Sequence, residues 1–472
     1  SLIAYSGLAL PISIAELPII LYLPAFYAKE VGLSIGMVGL VFLLARLWDG
    51  FSDPVIGTLS DRINSSFGRR KPWVIVGAPL LMGATWFLCN PPDQVGLLYL
   101  GFWAVLFYTA LTIVKIPYWS WGAELSSDYE ERSRITGFRE SGSMIGNIIV
   151  AAAPLLLLPN DAPIRDVLFL ITLLIILLLP ITIAPLAIAI KDPQRVSTPG
   201  FKFAHILSAL RQNRPLLLFL IAMICNYVSL GIINSAAIFL IDIGLGLPGA
   251  FFSLFFIQYI AAIVSVPILV RLGNRFDKHR VLAGSFAITA IYYLIAFTLP
   301  MGSYYLVAGL ICIGGITFAC AYIFITSILA DIVDFDTAVS GEERTGIYMA
   351  ALNLVMKFGL ALGVGLAYGF LDIVGFDPAA ATHTAEDVFK IRLVGYGPTS
   401  ALLIPAFYIL WKFPITKKVQ RELRRQIEAN ASNTGQSSEK QTRNSDKTFS
   451  DQHKNKELHS STSLNSLLPD NG

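Results

Sequence analysis

The chain has 472 residues, of which 55% are apolar and only 14% charged. A soluble domain is about 25% charged, which at this length means roughly 118 charged residues; the 35 Lys and Arg and 32 Asp and Glu fall far short of that. A water-soluble enzyme is excluded, and a net charge of +3 offers no hold on a nucleic acid.

A bilayer-spanning helix needs about 20 mostly apolar residues. Twelve such spans are predicted, at 4–28, 36–60, 72–88, 95–125, 135–158, 167–190, 216–243, 250–271, 281–299, 304–332, 345–371 and 393–413. No basic n-region precedes the first, so no leader peptide is expected. Residues 1–190 hold six spans, 191–214 read as a cytoplasmic linker, and 215–427 hold six more with their cytoplasmic end. Residues 428–472 are rich in Ser, Asn, Lys and Gln. They bury too little to offset ordering entropy and read as a disordered cytoplasmic tail.

A basic, Gly-containing turn follows span 2 (Gly57 to Asp61-Arg62, then Gly68-Arg69-Arg70-Lys71) and recurs after span 8 (Arg271 to Arg280). Such internal symmetry belongs to six-plus-six transporters with a central site. The expected fold class is an all-α membrane protein of two pseudo-symmetric six-helix bundles, working as a monomer. With the N-terminus inside, cytoplasmic loops hold sixteen Lys and Arg and outer loops four. That bias places both termini in the cytoplasm. Cys89, Cys225, Cys312 and Cys320 lie in or beside apolar runs and read as reduced thiols.

Ionisable groups inside spans are costly and mark candidate sites. Span 2 carries Arg46, Asp49 and Asp53. The two aspartates, four residues apart, share one helix face. With the hydroxyls of Ser52 and Thr112 they could replace the oxygen shell of a small hard cation, or they could be a pair of charges neutralised by internal cations. Lys115 stands alone in span 4 and calls for a partner: a span 2 carboxylate, Glu16 or an anionic substrate. Trp119, one turn later, is placed to grip a sugar ring or simply to pack. Arg139 in span 5 and Lys357 in span 11 are candidate ligand anchors. Asp61, Arg62, Arg69 and Arg70 after span 2, with Asp331, Asp334 and Arg344 after span 10, read as latch charges. No nucleophile–base pair, metal-ligand cluster or phosphate loop is present, so no catalytic residue and no cofactor is expected.

The motif Arg46-Leu-Trp48-Asp49-x-x-Ser52-Asp53-Pro54-x-x-Gly57 resembles the signature of the glycoside–pentoside–hexuronide:cation symporters, the melibiose-permease-like branch of the major facilitator superfamily. Gly68-Arg69-Arg70-Lys71-Pro72-Trp73, Ile116-Pro117-Tyr118, the Glu124 to Arg132 loop and Ala330-Asp331-Ile-Val-Asp334 extend the resemblance across all twelve spans. It implies the major facilitator fold and sugar uptake coupled to Na⁺, Li⁺ or H⁺. It also implies that Asp49, Asp53 and Thr112 match cation-site positions, Trp119 and Arg139 sugar-site positions, and Lys357 a lysine near both. Ser52 departs from the family's usual Asn and Lys115 from its usual Asp.

The expected function is cation-coupled symport of a small sugar or sugar derivative. An anionic one, such as a hexuronide or sulfonated sugar, is favoured because an ammonium replaces a carboxylate at position 115. Lys115 is expected beside Asp49 and Asp53, favouring H⁺ over a bound Na⁺ at that pair. The competing readings are an uncoupled facilitator with Lys115 and Asp49 or Asp53 as a fixed ion pair, and a transporter of lysolipids or other amphiphiles.

Overall fold

A computed structural model describes residues 2–62, 67–126, 128–159, 162–190, 213–340, 344–380 and 382–425 except 424. Most of the expected linker and the whole of the expected 428–472 tail lie outside these residues. The twelve expected spans are all present as helices long and apolar enough to cross a membrane. They are α1 (Leu2–Leu21), α2 (Ile35–Arg62), α3 (Lys71–Cys89), α4 (Leu97–Glu124), α5 (Tyr129–Leu157) and α6 (Ile164–Ala189), then α7 (Arg214–Gly244), α8 (Phe251–Arg275), α9 (Lys278–Thr298), α10 (Tyr304–Ser340), α11 (Thr345–Ile373) and α12 (Ala385–Trp411). The last turn of α7, Leu240–Gly244, is a π-helix. The four cysteines are free.

The chain divides into two units. One, Ser1–Leu329 with Thr345–Pro414, contains nearly all of the helices. The other, Ala330–Arg344 with Ile415–Gly472, contains the last turns of α10, where Asp331 and Asp336 are buried.

Several helices differ from the expected spans at their ends: α1 stops at Leu21 rather than running to 28, and a separate short helix, Leu23–Lys29, follows it. α12 begins at Ala385, eight residues before the apolar run, because Thr384 and Asp387 form a capping box that starts the helix in a polar turn. Arg392, expected in a loop, is therefore buried inside α12; it donates to the carbonyls of Gly244 (2.6 Å) and Phe297 (2.8 Å) at the ends of two other helices. α5 begins at Tyr129, where the Asp128 carboxylate accepts from the Glu131 amide at 2.9 Å. α10 continues to Ser340 and carries Asp334 as part of the helix.

α2 sets out the logic of a helix with one face to lipid and one to protein. Leu40, Leu44, Trp48, Phe51, Val55 and Leu59 form an exposed stripe, while Val38, Phe42, Ala45, Asp49, Ser52 and Ile56 are buried on the other side. The helix-facing surfaces come close wherever a side chain is missing. A Cβ at Gly359 would lie 2.6 Å from Cβ of Tyr227, and one at Gly363 2.5 Å from the Val228 carbonyl, so α11 lies backbone-to-backbone on α7. α11 also crosses α2: a Cβ at Gly39 would lie 2.6 Å from Tyr368. α11 thus holds one of the last six helices against one of the first six, with Lys357 on the crossing. α5 packs on α1 in the same way, through Gly142 against Ser6 and Gly146 against Leu10. Lys29 and Asp242, 3.6 Å apart, add a further link between the first six helices and the last six.

Candidate functional site

Asp49 and Asp53 lie side by side on the buried face of α2, as their spacing requires. Lys357 reaches across from α11 and places its ammonium 2.7 Å from Asp49 Oδ2 and 2.6 Å from Asp53 Oδ2. On the other side of the pair, Thr112 Oγ1 of α4 lies 3.0 Å from Asp49 Oδ1 and 3.1 Å from Asp53 Oδ1. Asp49 and Thr112 are almost fully buried. A threonine hydroxyl carries one proton, and here it faces two carboxylate oxygens. Both contacts become hydrogen bonds only if one carboxyl is itself protonated and donates to Oγ1. The same three oxygens are also hard donors of the kind a small cation takes.

Ser52 was expected to join this cluster and does not. Its hydroxyl donates back to the Asp49 carbonyl at 3.1 Å, so it is spent on its own helix. Arg46, expected as a neutralising charge, stacks over the Tyr108 ring at 5.1 Å and acts on Asp49 and Glu16 only at longer range.

Lys115 requires a larger correction. It was expected as the ammonium beside Asp49 and Asp53, but its ion pair is with Glu16 of α1. The physical reason is helical rotation. Thr112 faces the α2 pair, and Lys115, three residues on, turns toward α1. Lys115 remains close enough to Asp53 to act on it electrostatically, while Lys357 makes the contact. The fixed ion pair of the facilitator reading is accordingly a Lys357 pair rather than a Lys115 pair.

Lys115 also lies over the Trp119 ring at 4.5 Å, and Arg139 of α5 lies over the same ring at 5.1 Å. Arg139 is paired with its neighbour Glu140 at 2.7 Å. Glu140 in turn accepts a hydrogen bond from Tyr322 of α10 at 2.9 Å. Glu16, Lys115, Trp119 and Arg139 are therefore brought together, with Glu140 and Tyr322 added, while Lys357 stands with Asp49 and Asp53 instead. Glu140 was legible as an ionisable group at the start of span 5, beside Arg139; Tyr322 carried no such signal. Tyr5 and Tyr118 brace this region, each donating its hydroxyl to the other's carbonyl at 3.1 and 2.8 Å.

The charges after span 2 form a compact network. Arg70 pairs with Asp61 (2.6 Å) and Glu124 (2.7 Å), and donates to Ser60 at 2.7 Å; Arg69 pairs with Glu124 as well. Glu124, at the end of α4, is the shared acceptor that sequence reading left without a role. Arg62 is exposed. Asp331, Asp334 and Arg344 belong to the smaller unit. Among the described residues, no group of three or more His, Cys, Asp or Glu could hold a metal ion.

Twelve apolar spans carrying an ionised cluster between their helices define a multi-pass membrane protein. Its backbone is similar to a variant of the nucleoside transporter NupG, at a TM-score of 0.61 and 15% identity over 87% of this chain and 99% of that one. That likeness is to a major facilitator fold. The family model described as MFS/sugar transport protein matches residues 4–417, and the chain belongs to that family, within its glycoside–pentoside–hexuronide group. It is similar to the uncharacterized symporter YnaJ of Bacillus subtilis, 28% identical over 75% of this chain and 79% of that protein. It is also similar to a glucuronide carrier protein homolog of Escherichia coli, 23% identical over 85% of this chain and 90% of that protein.

Proposed function

We propose that the chain is a proton-coupled symporter of a sugar or sugar derivative, working as a monomer with both termini in the cytoplasm. The observation that carries the proposal is the cluster of Asp49, Asp53, Thr112 and Lys357. Two carboxylates and one ammonium leave one net negative charge, which one proton neutralises. That proton also completes the hydrogen bonds of Thr112. A bare Na⁺ would have to share the carboxylates with an ammonium already placed between them, which at an effective dielectric of about 20 and 4 Å separation opposes it by roughly 4 kcal/mol before desolvation is counted. Symport is the activity named for several relatives, YnaJ among them.

Coupling follows from the crossing of α2 and α11. Protonation of one aspartate weakens its hold on Lys357 and frees that ammonium to move relative to α2. Because Lys357 and the aspartates sit on helices from the two halves, the proton biases how the halves meet, which is what alternating access requires.

The substrate site is built on Trp119, whose ring face offers a stacking surface for a sugar. Lys115 with Glu16, and Arg139 with Glu140, supply strong donors and acceptors for hydroxyls around it. These pairs balance in charge, so a neutral sugar uses them as they stand. A hexuronide or sulfonated sugar would place its own anion on Lys115 in exchange for Glu16; two cations over one indole ring favour that variant, and the glucuronide carrier homolog gives it a precedent. The test is a thermal-shift screen of purified protein against neutral sugars, hexuronides, sulfonated sugars and lysolipids, with and without Na⁺. Stabilisation by a saccharide, lost in Trp119→Ala and indifferent to Na⁺, is expected. Stabilisation by lysolipids alone would contradict the reading.

A further inference from the structure

Trp119, Lys115 and Arg139 belong to the first six helices, but the charged group beside Arg139 is held from the last six. Glu140 uses both of its carboxylate oxygens. Oε1 accepts from Arg139 through Nε at 3.2 Å and Nη2 at 2.7 Å. Oε2 accepts from the hydroxyl of Tyr322, on α10, at 2.9 Å.

Arg139 and Glu140 are neighbours on one helix, where consecutive side chains diverge by about 100° and do not face each other. Their pairing therefore depends on what holds each from outside. The Trp119 ring lies under the guanidinium, and the Tyr322 hydroxyl holds the carboxylate. The contact is also accessible. Tyr322 is 47% exposed and the Glu140 side chain 39%, and Tyr322 lines a cavity of about 240 Å³ among the last six helices. A hydrogen bond that water reaches contributes little to holding a fold, and it exchanges readily for one to a ligand. This one is suited to breaking and re-forming.

Glu140 is on α5 and Tyr322 on α10, so the bond ties the half that carries Trp119 to the other half. Lys357 and Asp53 tie the halves at the cation cluster. A symporter needs both of its sites to act on how the halves meet, because a carrier that changes face when protonated but without substrate leaks protons. A sugar on Trp119 brings hydroxyls to Arg139 and Glu140. A sugar hydroxyl that donates to Oε2 takes the place of the tyrosine and releases the halves at that point.

We propose that Tyr322 is a positioning residue for coupling: its hydrogen bond to Glu140 restrains the halves until a saccharide on Trp119 replaces it. This rests on the proton-symport reading above and adds to it the contact through which substrate is sensed.

The experiment measures proton entry into proteoliposomes of the full chain under an imposed pH gradient, with a pH-sensitive dye inside. It is run without sugar and then with lactose or glucuronate. The variants are Tyr322→Phe, which removes only the hydroxyl, Glu140→Ala, and the two together, with a melting curve for each. Tyr292→Phe is the control, since Tyr292 lines the same cavity. Sugar-free proton entry is expected to rise about fivefold in Tyr322→Phe and no further in the double variant. Its melting temperature should match wild type, and Tyr292→Phe should leak no more than wild type. Sugar-free entry within about twofold of wild type in Tyr322→Phe, with sugar-driven entry intact in the wild-type protein, would overturn the inference and leave the symport reading standing. An equal rise in Tyr292→Phe, or additive rises in the double variant, would also overturn it. Absence of sugar-driven proton entry in the wild-type protein with both sugars would overturn both.

Discussion

Lys357 and Asp53 stand 304 residues apart in the chain and 2.6 Å apart in space. The pair joins α11 to α2, and Asp49 and Thr112 complete the cluster around it. An ion pair between helices of different halves is a natural point for a transported ion to act.

Asp53→Asn keeps the size of the side chain and leaves Lys357 paired with Asp49. Folding and membrane insertion should survive, while accumulation against a gradient should fall about a hundredfold or more, to the level of exchange without coupling. Uptake into proteoliposomes compared with counterflow separates the two. Wild-type accumulation by the variant would remove Asp53 from the coupling machinery.

Lys357→Met leaves two carboxylates facing each other with no ammonium between them. Adjacent like charges repel, so the pair holds a proton more tightly than it does beside the ammonium. Proton release should slow and pH-driven uptake should decline. The vacated space between hard oxygens should also admit Na⁺, so Na⁺ should begin to stimulate binding. Titration of substrate affinity against Na⁺ in wild type and variant checks this.

Lys115 and Glu16 form a pair in which each side chain neutralises the other inside the membrane. Glu16→Gln and Lys115→Met should each destabilise the protein, and the double variant should recover part of the loss. A coupling energy of about 1 kcal/mol or more is expected from melting of the four proteins. Additive losses would mean that the two groups do not depend on each other.

At Gly363 no side chain fits, because a Cβ would stand 2.5 Å from the Val228 carbonyl. Gly363→Ala should push α11 off α7 and cost about 1–3 kcal/mol. Lys357 is carried by the same helix, so coupling should suffer along with stability. The control is Gly369→Ala, where nothing stands within 4 Å and little change is expected.

The twelve spans were legible because lipid-facing length and apolarity are properties of the sequence itself. The α2 pair was legible for a similar reason, since a spacing of four residues fixes a shared helix face. The partner of that pair was not. Lys115 and Lys357 both lie inside spans, and which ammonium reaches Asp53 depends on how α4 and α11 are rotated. Thr112 and Lys115 are only three residues apart on α4, yet one faces α2 and the other α1. The hydrogen bond between Tyr322 and Glu140 was invisible because it joins helices 182 residues apart. The start of α12 was missed because its first turn is polar, and a capping box marks it more clearly than hydropathy does.

The most direct measurement is uptake into proteoliposomes under a single imposed gradient. Membrane potential is clamped at zero, and the substrate is the saccharide that binds best. Proton coupling predicts accumulation when the outside is more acidic at equal Na⁺, and none in Asp53→Asn. Accumulation driven by an inward Na⁺ gradient at equal pH, with no response to a pH gradient, would contradict it and would mean that the ammonium of Lys357 yields its place to Na⁺.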